Sequence, residues 1–494
     1  MTQLADTEVA VVGGGFGGLS AACYLADAGA DVRVIEKNAE LGGRASVLER
    51  DGFRFDMGPS WYLMPDVFER FFDHFDRRPE EYYELEPLDP HYRIFFKDGD
   101  TCDARGDAEY MQELFESYEP GAGEAFEEYL ETSRHHYETA MEKFVYVDRS
   151  RLRDWVDLDV MTAAPIGLQL VGSMEGHVEK YVEHPKLKQI LQYTLVFLGG
   201  SPKNTPALYN IMSHVDFNLG VYYPDGGMGA VVDGLVELGG ELGVEYVTDC
   251  EVEGITRGRD GFIVDTTGGE YRPDRVVANA DYGHVERELL PEHERQYDDD
   301  YWDSRTYAPS AFLLYLGVEG DIDPLEHHTL VLPRDWDSHF EQIFDLPSWP
   351  DEPAYYICAP SVTDDSVAPE GHSNLFVLVP LAPGLPDTEA LRQRYRDKIL
   401  DDIAEHTGVE LADRIVLEER FCVQDFVERY NASRGTALGL AHTLRQTALL
   451  RPSNRSSAVD GLYYTGSFTT PGVGVPMCLI SGEHTAKALI DDQS

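Results

Sequence analysis

Lysine is the charged residue that this chain has least of, with nine among 494 residues. All basic residues together number forty against ninety acidic ones, which gives a formal net charge of −50. Such a surface repels a polyanion, so nucleic acid is excluded as a partner. The acids run from Asp6 to Asp492 and form no tail. We interpret them as adaptation to molar salt, where a Debye length of about 3 Å screens the repulsion between carboxylates.

Cysteine and long apolar runs are also scarce. The six cysteines lie far apart with no C-x-x-C pair, which argues against a zinc site or a disulfide scaffold and suits a reducing cytoplasm. No apolar run reaches the roughly 18 residues of a membrane-spanning helix. The acidic, polar start from Met1 to Glu8 is unlike a signal peptide. We therefore expect a cytoplasmic protein.

A glycine-rich turn follows the first apolar run, which spans Val9 to Val12. The turn is Gly13-Gly14-Gly15-Phe16-Gly17-Gly18, and a helix is predicted from Leu19 to Ala28 and a strand from Asp31 to Glu36. In a βαβ unit, G-x-G-x-x-G allows a tight turn (Gly13), a close approach of the backbone to a pyrophosphate (Gly15) and helix packing (Gly18). Glu36 ends the second strand, where it can accept hydrogen bonds from a ribose.

Two further segments suit the same ligand. Gly42, Gly43 and Arg44 follow closely, with Arg44 placed to donate near phosphates or a ring. Near the C-terminus a strand breaks at Gly466 into a Gly/Pro loop, and a helix is predicted from Pro476 to Ile490. The N-terminus of that helix would favour negative charge on an electron-rich ring.

The order of elements predicts an α/β fold with a Rossmann-type nucleotide-binding domain and an inserted mixed α+β substrate domain. We place the discontinuous nucleotide-binding domain at residues 1–80, 225–300 and 455–494, and the substrate domain at 81–224 and 301–454. Within these, about 70 to 213 is expected to be mainly helical.

The chain resembles the bacterial- and archaeal-type phytoene desaturases of the FAD-binding amine oxidase-like superfamily over nearly its whole length. Besides the glycine motif and Glu36, the resemblance rests on Leu198 to Pro202, Tyr223 to Gly229, His327-His328-Thr329, Ala359 to Asp364, Ala368 to Gly371, and the loop from Gly466 to Pro476. The glycine motif is shared by many flavoproteins, whereas the last loop is more particular to carotenoid desaturases.

The resemblance implies a set of site residues. The FAD would be held by Gly13, Gly15, Gly18, Glu36, Gly43 and Arg44. The segment around Gly466, Val475, Pro476 and Met477 would lie beside the isoalloxazine. The family's proposed acid/base residue falls on Asp154, although Trp155 to Val160 departs from the basic residues that usually follow it. His327 and His328 show no third ligand at a recognisable spacing, so no metal site is predicted.

The implied activity is the desaturation of a linear carotenoid, with phytoene to lycopene as the first expectation. The alternatives are 3,4-desaturation of hydroxylated, lycopene-derived intermediates of C50 carotenoids, another flavin amine or porphyrinogen oxidase, and a non-catalytic prenyl-binding escort of the same fold. For a polar end group, Arg305–Tyr307 and His327–Thr329 are the candidate contacts. The expected partners are a hydrophobic carotenoid, a quinone or oxygen as electron acceptor, and the inner face of the cell membrane. Peripheral contact is expected through the apolar stretch from Val160 to Met174.

Overall fold

The computed structural model of the protein describes residues 3–147, 172–195, 199–443 and 445–493. The strands in chain order are β1 (Glu8–Val12), β2 (Asp31–Ile35), β3 (Val47–Arg50), β4 (Phe53–Asp56), β5 (Leu85–Pro87), β6 (Tyr92–Phe96), β7 (Thr101–Ala104), β8 (Tyr222–Pro224), β9 (Glu245–Val247), β10 (Val252–Arg257), β11 (Phe262–Thr266), β12 (Gly269–Tyr271), β13 (Arg275–Ala278), β14 (Ser310–Glu319), β15 (His328–Leu332), β16 (Tyr355–Cys358), β17 (His372–Leu381), β18 (Ile415–Phe421) and β19 (Leu462–Tyr464). The α-helices are α1 (Phe16–Asp27), α2 (Pro65–Asp73), α3 (Ala108–Tyr118), α4 (Ala122–Ala140), α5 (Met174–Val178), α6 (Pro185–Gln192), α7 (Ile211–His214), α8 (Met228–Glu241), α9 (Tyr282–His284), α10 (Asp299–Asp303), α11 (Trp336–Phe344), α12 (Glu389–Thr407), α13 (Val423–Tyr430) and α14 (Val475–Gln493).

A five-stranded parallel sheet carries the glycine motif. Its order is β19-β13-β1-β2-β9, so the first and last parts of the chain meet in one sheet. The central strand β1 is buried on both faces, which explains its unbroken apolar sequence. Helices α1 and α14 lie very close together at Gly482, which has no side chain. A Cβ added there would lie 2.6 Å from the Cβ of Ser20. The Ser20 hydroxyl also donates to the Leu479 carbonyl at 2.7 Å.

A seven-stranded mixed sheet forms the second layer, in the order β18-β14-β17-β16-β15-β6-β7. Alternate residues of β14 enter different cores, as the period of two requires. Phe312 and Leu314 pack with Tyr395 of α12 on one face. Leu313 and Tyr315 share a core with residues of α3 and α4 on the other. Both faces of this strand are therefore buried.

The described part of the stretch from 70 to 213 is less helical than the sequence indicates, since β5, β6 and β7 lie in it. Strand β6 pairs in parallel with β15, with Ile94 opposite Leu330, more than two hundred residues along the chain. A short apolar run fits a buried strand or a helix equally well, and only this distant partner decides between them.

The two large sheets divide between the predicted ranges. The five-stranded sheet takes its strands from 1–80, 225–300 and 455–494, and the seven-stranded sheet takes its strands from 81–224 and 301–454. Strands β5 and β8 pair with each other within the second set of ranges. The division into two domains stays a prediction.

Candidate active site

One cavity of about 570 Å³ runs from the carboxyl edge of the parallel sheet towards the seven-stranded sheet and the ends of α4 and α7. It brings together almost all of the site residues predicted from the sequence. Those that line it are Gly13, Gly15, Glu36, Gly43, Arg44, Gly466, Val475, Pro476 and Met477. Their roles as ligand contacts stay predictions, but their convergence on one cavity is a property of the fold.

Gly15 lies where α1 begins and provides its N-cap. It forms a parallel bridge to Gly42, and a Cβ added at Gly43 would lie 3.2 Å from the Cα of Gly15. The two backbone segments therefore form a shallow groove without side chains. The first turn of α1 contains no acidic residue, and the positive end of its dipole faces the groove. Such a groove suits a phosphate group.

Glu36 lies one residue after β2, buried to 5% exposure. Its Oε2 accepts the N–H of Gly14 at 2.8 Å, and its Oε1 accepts the backbone N–H of Asn38 at 2.9 Å. The Asn38 amide donates to the same Oε1 at 2.8 Å. These bonds hold the carboxylate rigidly at the cavity wall. Each carboxylate oxygen has two lone pairs, so the group retains acceptor capacity for hydroxyl groups of a ligand.

Arg44 enters the cavity beside the groove. Its Nη2 donates to the Thr436 carbonyl at 3.4 Å, while its Nε is buried without a hydrogen-bond partner. An unsatisfied buried donor costs about 1–3 kcal/mol. The orphaned N–H therefore points to a ligand acceptor at this position, as a phosphate or a ring carbonyl would supply.

The loop after β19 closes the other side of the cavity. Gly466 has a φ of +99°, which favours glycine, and its N–H donates to the Ser481 hydroxyl at 2.9 Å. Helix α14 begins at Val475, one residue before the predicted start. Its first turn lines the cavity and contains no acidic residue. The N-terminus of α14 therefore borders the cavity, and its action on a bound ring stays a prediction.

Of the predicted site residues, Gly18 does not line the cavity and Asp154 cannot be placed. Gly18 lies beneath it, where a Cβ would come within 2.3 Å of the Gly13 carbonyl oxygen, so its role is the close packing of helix on strand. Asp154 lies outside the described residues, as does nearly all of the stretch from Val160 to Met174.

The part of the cavity away from the glycine groove is apolar. It lies between α4, the π-helical turn Met141–Val145 and α7. Its lining side chains are Leu63, Met64, Tyr137, Ala140, Met141, Phe144, Val145, Val147, Leu208, Ile211, Met212 and Val215. Val147 remains 39% exposed, so this arm reaches the surface. An arm of this kind suits a long uncharged ligand.

A polar pair interrupts the apolar lining. The hydroxyl of Tyr209 lies 2.5 Å from Nδ1 of His442, and Nε2 of His442 accepts the N–H of Val473 at 3.0 Å. Behind them the fully buried Arg451 donates to the carbonyls of Leu440 (3.0 Å) and Thr469 (3.1 Å), which holds the Gly/Pro loop in place. Burial lowers the pKa of Arg451 to about 10.

The residues that the sequence suggested as contacts for a polar end group of the substrate do not lie at the cavity. Within the described residues, none of Arg305–Tyr307 or His327–Thr329 lines the cavity. His327, just before β15, and His328, its first residue, are buried, and their Nδ1 atoms contact the hydroxyls of Thr363 and Tyr356. That hypothesis was wrong, because the order of residues along the chain does not show which strand face borders the cavity.

Comparisons with known proteins assign the chain to a family. A family model described as flavin containing amine oxidoreductase matches residues 16–490. A carotenoid 3,4-desaturase of Haloarcula japonica is 76% identical over 493 residues, covering 100% of both chains. A 4,4'-diapophytoene desaturase (4,4'-diaponeurosporene-forming) of Staphylococcus haemolyticus is 32% identical over 500 residues, covering 98% of this chain and 99% of the relative. The chain belongs to the carotenoid desaturases of this flavoprotein family.

The predicted family and its implied fold are thereby confirmed. A cyclohexylamine oxidase from Brevibacterium oxydans shares the fold with a TM-score of 0.59, at 14% identity and 99% coverage of both chains. Both curated relatives are desaturases by name and the family model is that of a flavin oxidoreductase, so the chain is a flavin-dependent oxidoreductase and not the non-catalytic escort. The glycine groove, the held carboxylate of Glu36 and the orphaned Nε of Arg44 fit the flavin cofactor of this family.

The cavity of this carotenoid desaturase family member also contains residues that the sequence analysis did not predict. Asn279 follows β13 at the same sheet edge, and its amide donates to the Gly13 carbonyl at 3.2 Å. Its position directly after the short apolar run Val276-Val277-Ala278 was a usable signal. Tyr209 and His442 had none, because they lie far apart outside any motif. Among the described helices, none is both long and apolar enough to span a bilayer.

Proposed function

We propose that this protein is an FAD-dependent carotenoid desaturase and that its step is the 3,4-desaturation of a lycopene-derived chain. The observation that carries the proposal is the 76% identity, from end to end, with the Haloarcula japonica carotenoid 3,4-desaturase. The sequence alone put phytoene first and 3,4-desaturation as the alternative within the same chemistry. The relationship favours that alternative.

The cofactor is proposed to be FAD, a dinucleotide, because the groove belongs to a βαβ unit with a carboxylate after its second strand. Gly13, Gly15 and Gly43 would border the pyrophosphate, Glu36 the ribose hydroxyls, and Arg44 the phosphates or the ring. Gly466 and the segment Val475–Met477 would border the isoalloxazine. The N-terminus of α14 would then stabilise negative charge on the ring.

Desaturation removes two hydrogens from adjacent carbons, and the bound flavin would supply the hydride acceptor. The chain's own contribution is to hold an allylic C–H near that acceptor and to exclude water. The apolar arm between α4 and α7 orients the polyene by its shape, since a carotenoid offers few groups to grip. We propose Asp154 as the acid/base residue only on its resemblance to the family pattern.

The proposed partners are the carotenoid itself and a quinone or oxygen that reoxidises the enzyme. The proposed place of action is the inner face of the cell membrane, because the substrate dissolves only in lipid. The surface end of the apolar arm at Val147 supports peripheral contact there.

Parallel incubations test the proposed step. The purified yellow protein, in molar KCl, is given phytoene, lycopene and a hydroxylated lycopene derivative, each in lipid vesicles. We expect the hydroxylated chain to lose two hydrogens by mass and to absorb at longer wavelength. Conversion of phytoene alone would show that the step is phytoene desaturation and not 3,4-desaturation. The assignment as a flavin-dependent carotenoid desaturase would still hold. If a flavin-loaded protein converts none of them with either acceptor, carotenoid desaturation itself is wrong.

A further inference from the structure

Two adjacent histidines and a cysteine meet inside the seven-stranded sheet. His327 precedes β15, His328 begins it, and Cys358 ends the neighbouring strand β16. In the antiparallel register His328 lies directly opposite Cys358, so their side chains leave the sheet on the same side. A ring nitrogen of each histidine and the Cys358 sulfur all lie within 4.8 Å of one another.

The adjacent histidines converge because His327 lies outside the strand. Residues within a strand alternate between its faces, and on that basis the sequence predicts divergent side chains. Here the chain turns before β15, and the two ring centres are 4.6 Å apart. The third ligand type, which no spacing in the sequence indicates, comes from the pairing of β15 with β16.

The hydrogen bonds of the two imidazoles leave one nitrogen on each ring unpaired. Nδ1 of His327 contacts the Thr363 hydroxyl at 2.8 Å, and Nδ1 of His328 contacts the Tyr356 hydroxyl at 2.7 Å. Both Nε2 atoms are buried without a partner. Metal-binding histidines commonly have this arrangement, in which a second group holds one nitrogen and orients the other. Two unpaired nitrogens at about 1–3 kcal/mol each are costly for a core that gains nothing from them.

From this geometry we propose that His327, His328 and Cys358 form a binding site for a divalent transition metal of the zinc class. Two imidazole nitrogens and one thiolate suit zinc, and a fourth position stays for water. Zinc lies about 2.0–2.1 Å from nitrogen and about 2.3 Å from sulfur, so tetrahedral ligands of these types are roughly 3.3–3.6 Å apart. The three side chains therefore rotate inwards by up to about 1 Å on binding, and the Cys358 thiol releases its proton to solvent.

The site would stiffen the wall of the cavity. Trp61 stacks flat on His328, with ring centres 4.1 Å apart and planes at 10°, and Tyr356 bonds to the same ring. Both Trp61 and Tyr356 line the cavity. A metal that ties β15 to β16 would fix these two side chains without touching the flavin groove, so the proposal is independent of the proposed substrate.

The test is metal binding by the flavin-loaded protein in molar KCl, with excess Mg²⁺ present because the many surface carboxylates bind divalent ions unspecifically. After chelation and dialysis, Zn²⁺ is titrated and retained metal is counted by mass spectrometry. We expect about one retained zinc per chain in the wild type, with a higher melting temperature. Cys358→Ser and His328→Gln should lose it and keep their flavin.

Cys102→Ser is the matched control, since Cys102 is a buried cysteine on β7 of the same sheet. It should retain zinc as the wild type does. Should the cluster variants fail to fold, Co²⁺ added to the wild type alone decides the question. One equivalent should give thiolate-to-cobalt charge transfer in the near ultraviolet, and ligand-field bands to the red of the flavin absorption. Absence of those bands, or equal zinc retention by Cys358→Ser, overturns the proposal.

Discussion

The Tyr209 hydroxyl and Nδ1 of His442 are 2.5 Å apart in the cavity wall, and the backbone determines which of them donates. Because Nε2 of His442 accepts the Val473 N–H, the ring proton lies on Nδ1 and is donated to Tyr209. Burial, together with the charge of Arg451, lowers the pKa of His442 well below its ordinary value, so the ring stays neutral. The phenolic proton of Tyr209 can then go to the neighbouring Thr447 hydroxyl or to an acceptor in the cavity, such as a hydroxyl group on the substrate.

Tyr209→Phe should therefore lower kcat/KM about tenfold on a hydroxylated carotenoid, through the loss of one hydrogen bond of about 1–1.5 kcal/mol. On a chain without hydroxyl groups the change should be small. Tyr137→Phe is the control, because Tyr137 lines the same cavity but donates its hydroxyl to Asp66. Equal losses on both substrates would remove Tyr209 from substrate recognition.

Gly15→Val should yield protein without flavin, because the added side chain projects into the groove beside Asn279. Glu36→Ala should weaken flavin binding about a hundredfold, since it removes a charged acceptor whose hydrogen bonds contribute about 1.5–3 kcal/mol each. Flavin absorbance per protein after dialysis measures both. Gly240→Ala is the control, because a Cβ there meets no atom within 4 Å. Full occupancy in both variants would mean that the groove has been assigned wrongly.

Dilution of salt should destabilise the protein. The formal net charge of −50 makes the surface carboxylates repel each other. This repulsion is screened beyond a Debye length of about 3 Å in 1 M salt, but it reaches about 10 Å at 0.1 M. We expect the melting temperature to fall steadily as KCl is lowered between these limits. Sucrose at matched osmolality serves as the control, because it does not screen charge. A melting temperature indifferent to KCl would contradict the interpretation of the acidic surface.

Acid should release one ion-pair cluster in a defined pH window. Burial alone raises the pKa of Glu483, but hydrogen bonds from Arg70 and Lys487 outweigh it and lower the value to about 2. The stabilisation is thus complete above the unfolded value of about 4.3 and is lost as pH falls through about 2. Arg70 donates to both carboxylate oxygens, at 2.6 and 2.8 Å, and joins α2 to α14.

Glu483→Gln should therefore lower the melting temperature at pH 7, and the difference from wild type should shrink between about pH 4 and pH 2. Lys487→Gln should cost less, because half of the Lys487 side chain is exposed. Thermal unfolding across this pH range measures both. A difference that stays constant with pH would show that the Glu483 carboxylate contributes through its packing and not through its charge.

Val147→Asp should reduce sedimentation with lipid vesicles in molar KCl. Val147 is exposed and lines the apolar arm, so a charge there would oppose contact with the interface. Leu346→Asp is the control, because Leu346 is also exposed but does not line the cavity. Flavin content should be unchanged in both. If the two variants sediment alike, the arm does not open towards the membrane.

The sequence by itself determined the nucleotide-binding part of this protein. Gly13, Gly15 and Glu36 lie within one βαβ unit, where spacing along the chain is nearly spacing in space. The predicted helix from Pro476 likewise begins within one residue of its place in the structure, because a Gly/Pro loop before an apolar helix leaves few alternatives.

Only the tertiary structure decided what lies opposite those motifs. Tyr209 and His442 are more than two hundred residues apart, and Cys358 reaches the two histidines through strand pairing. Residues Tyr92–Phe96 form strand β6 because the backbone of β15 provides their hydrogen-bond partners. Such contacts depend on the register and the exposed face of distant strands. A slip of one residue would turn every side chain of a strand to the other face of the sheet. The register is set by the burial of both sheet faces, and this burial exists only in the folded chain.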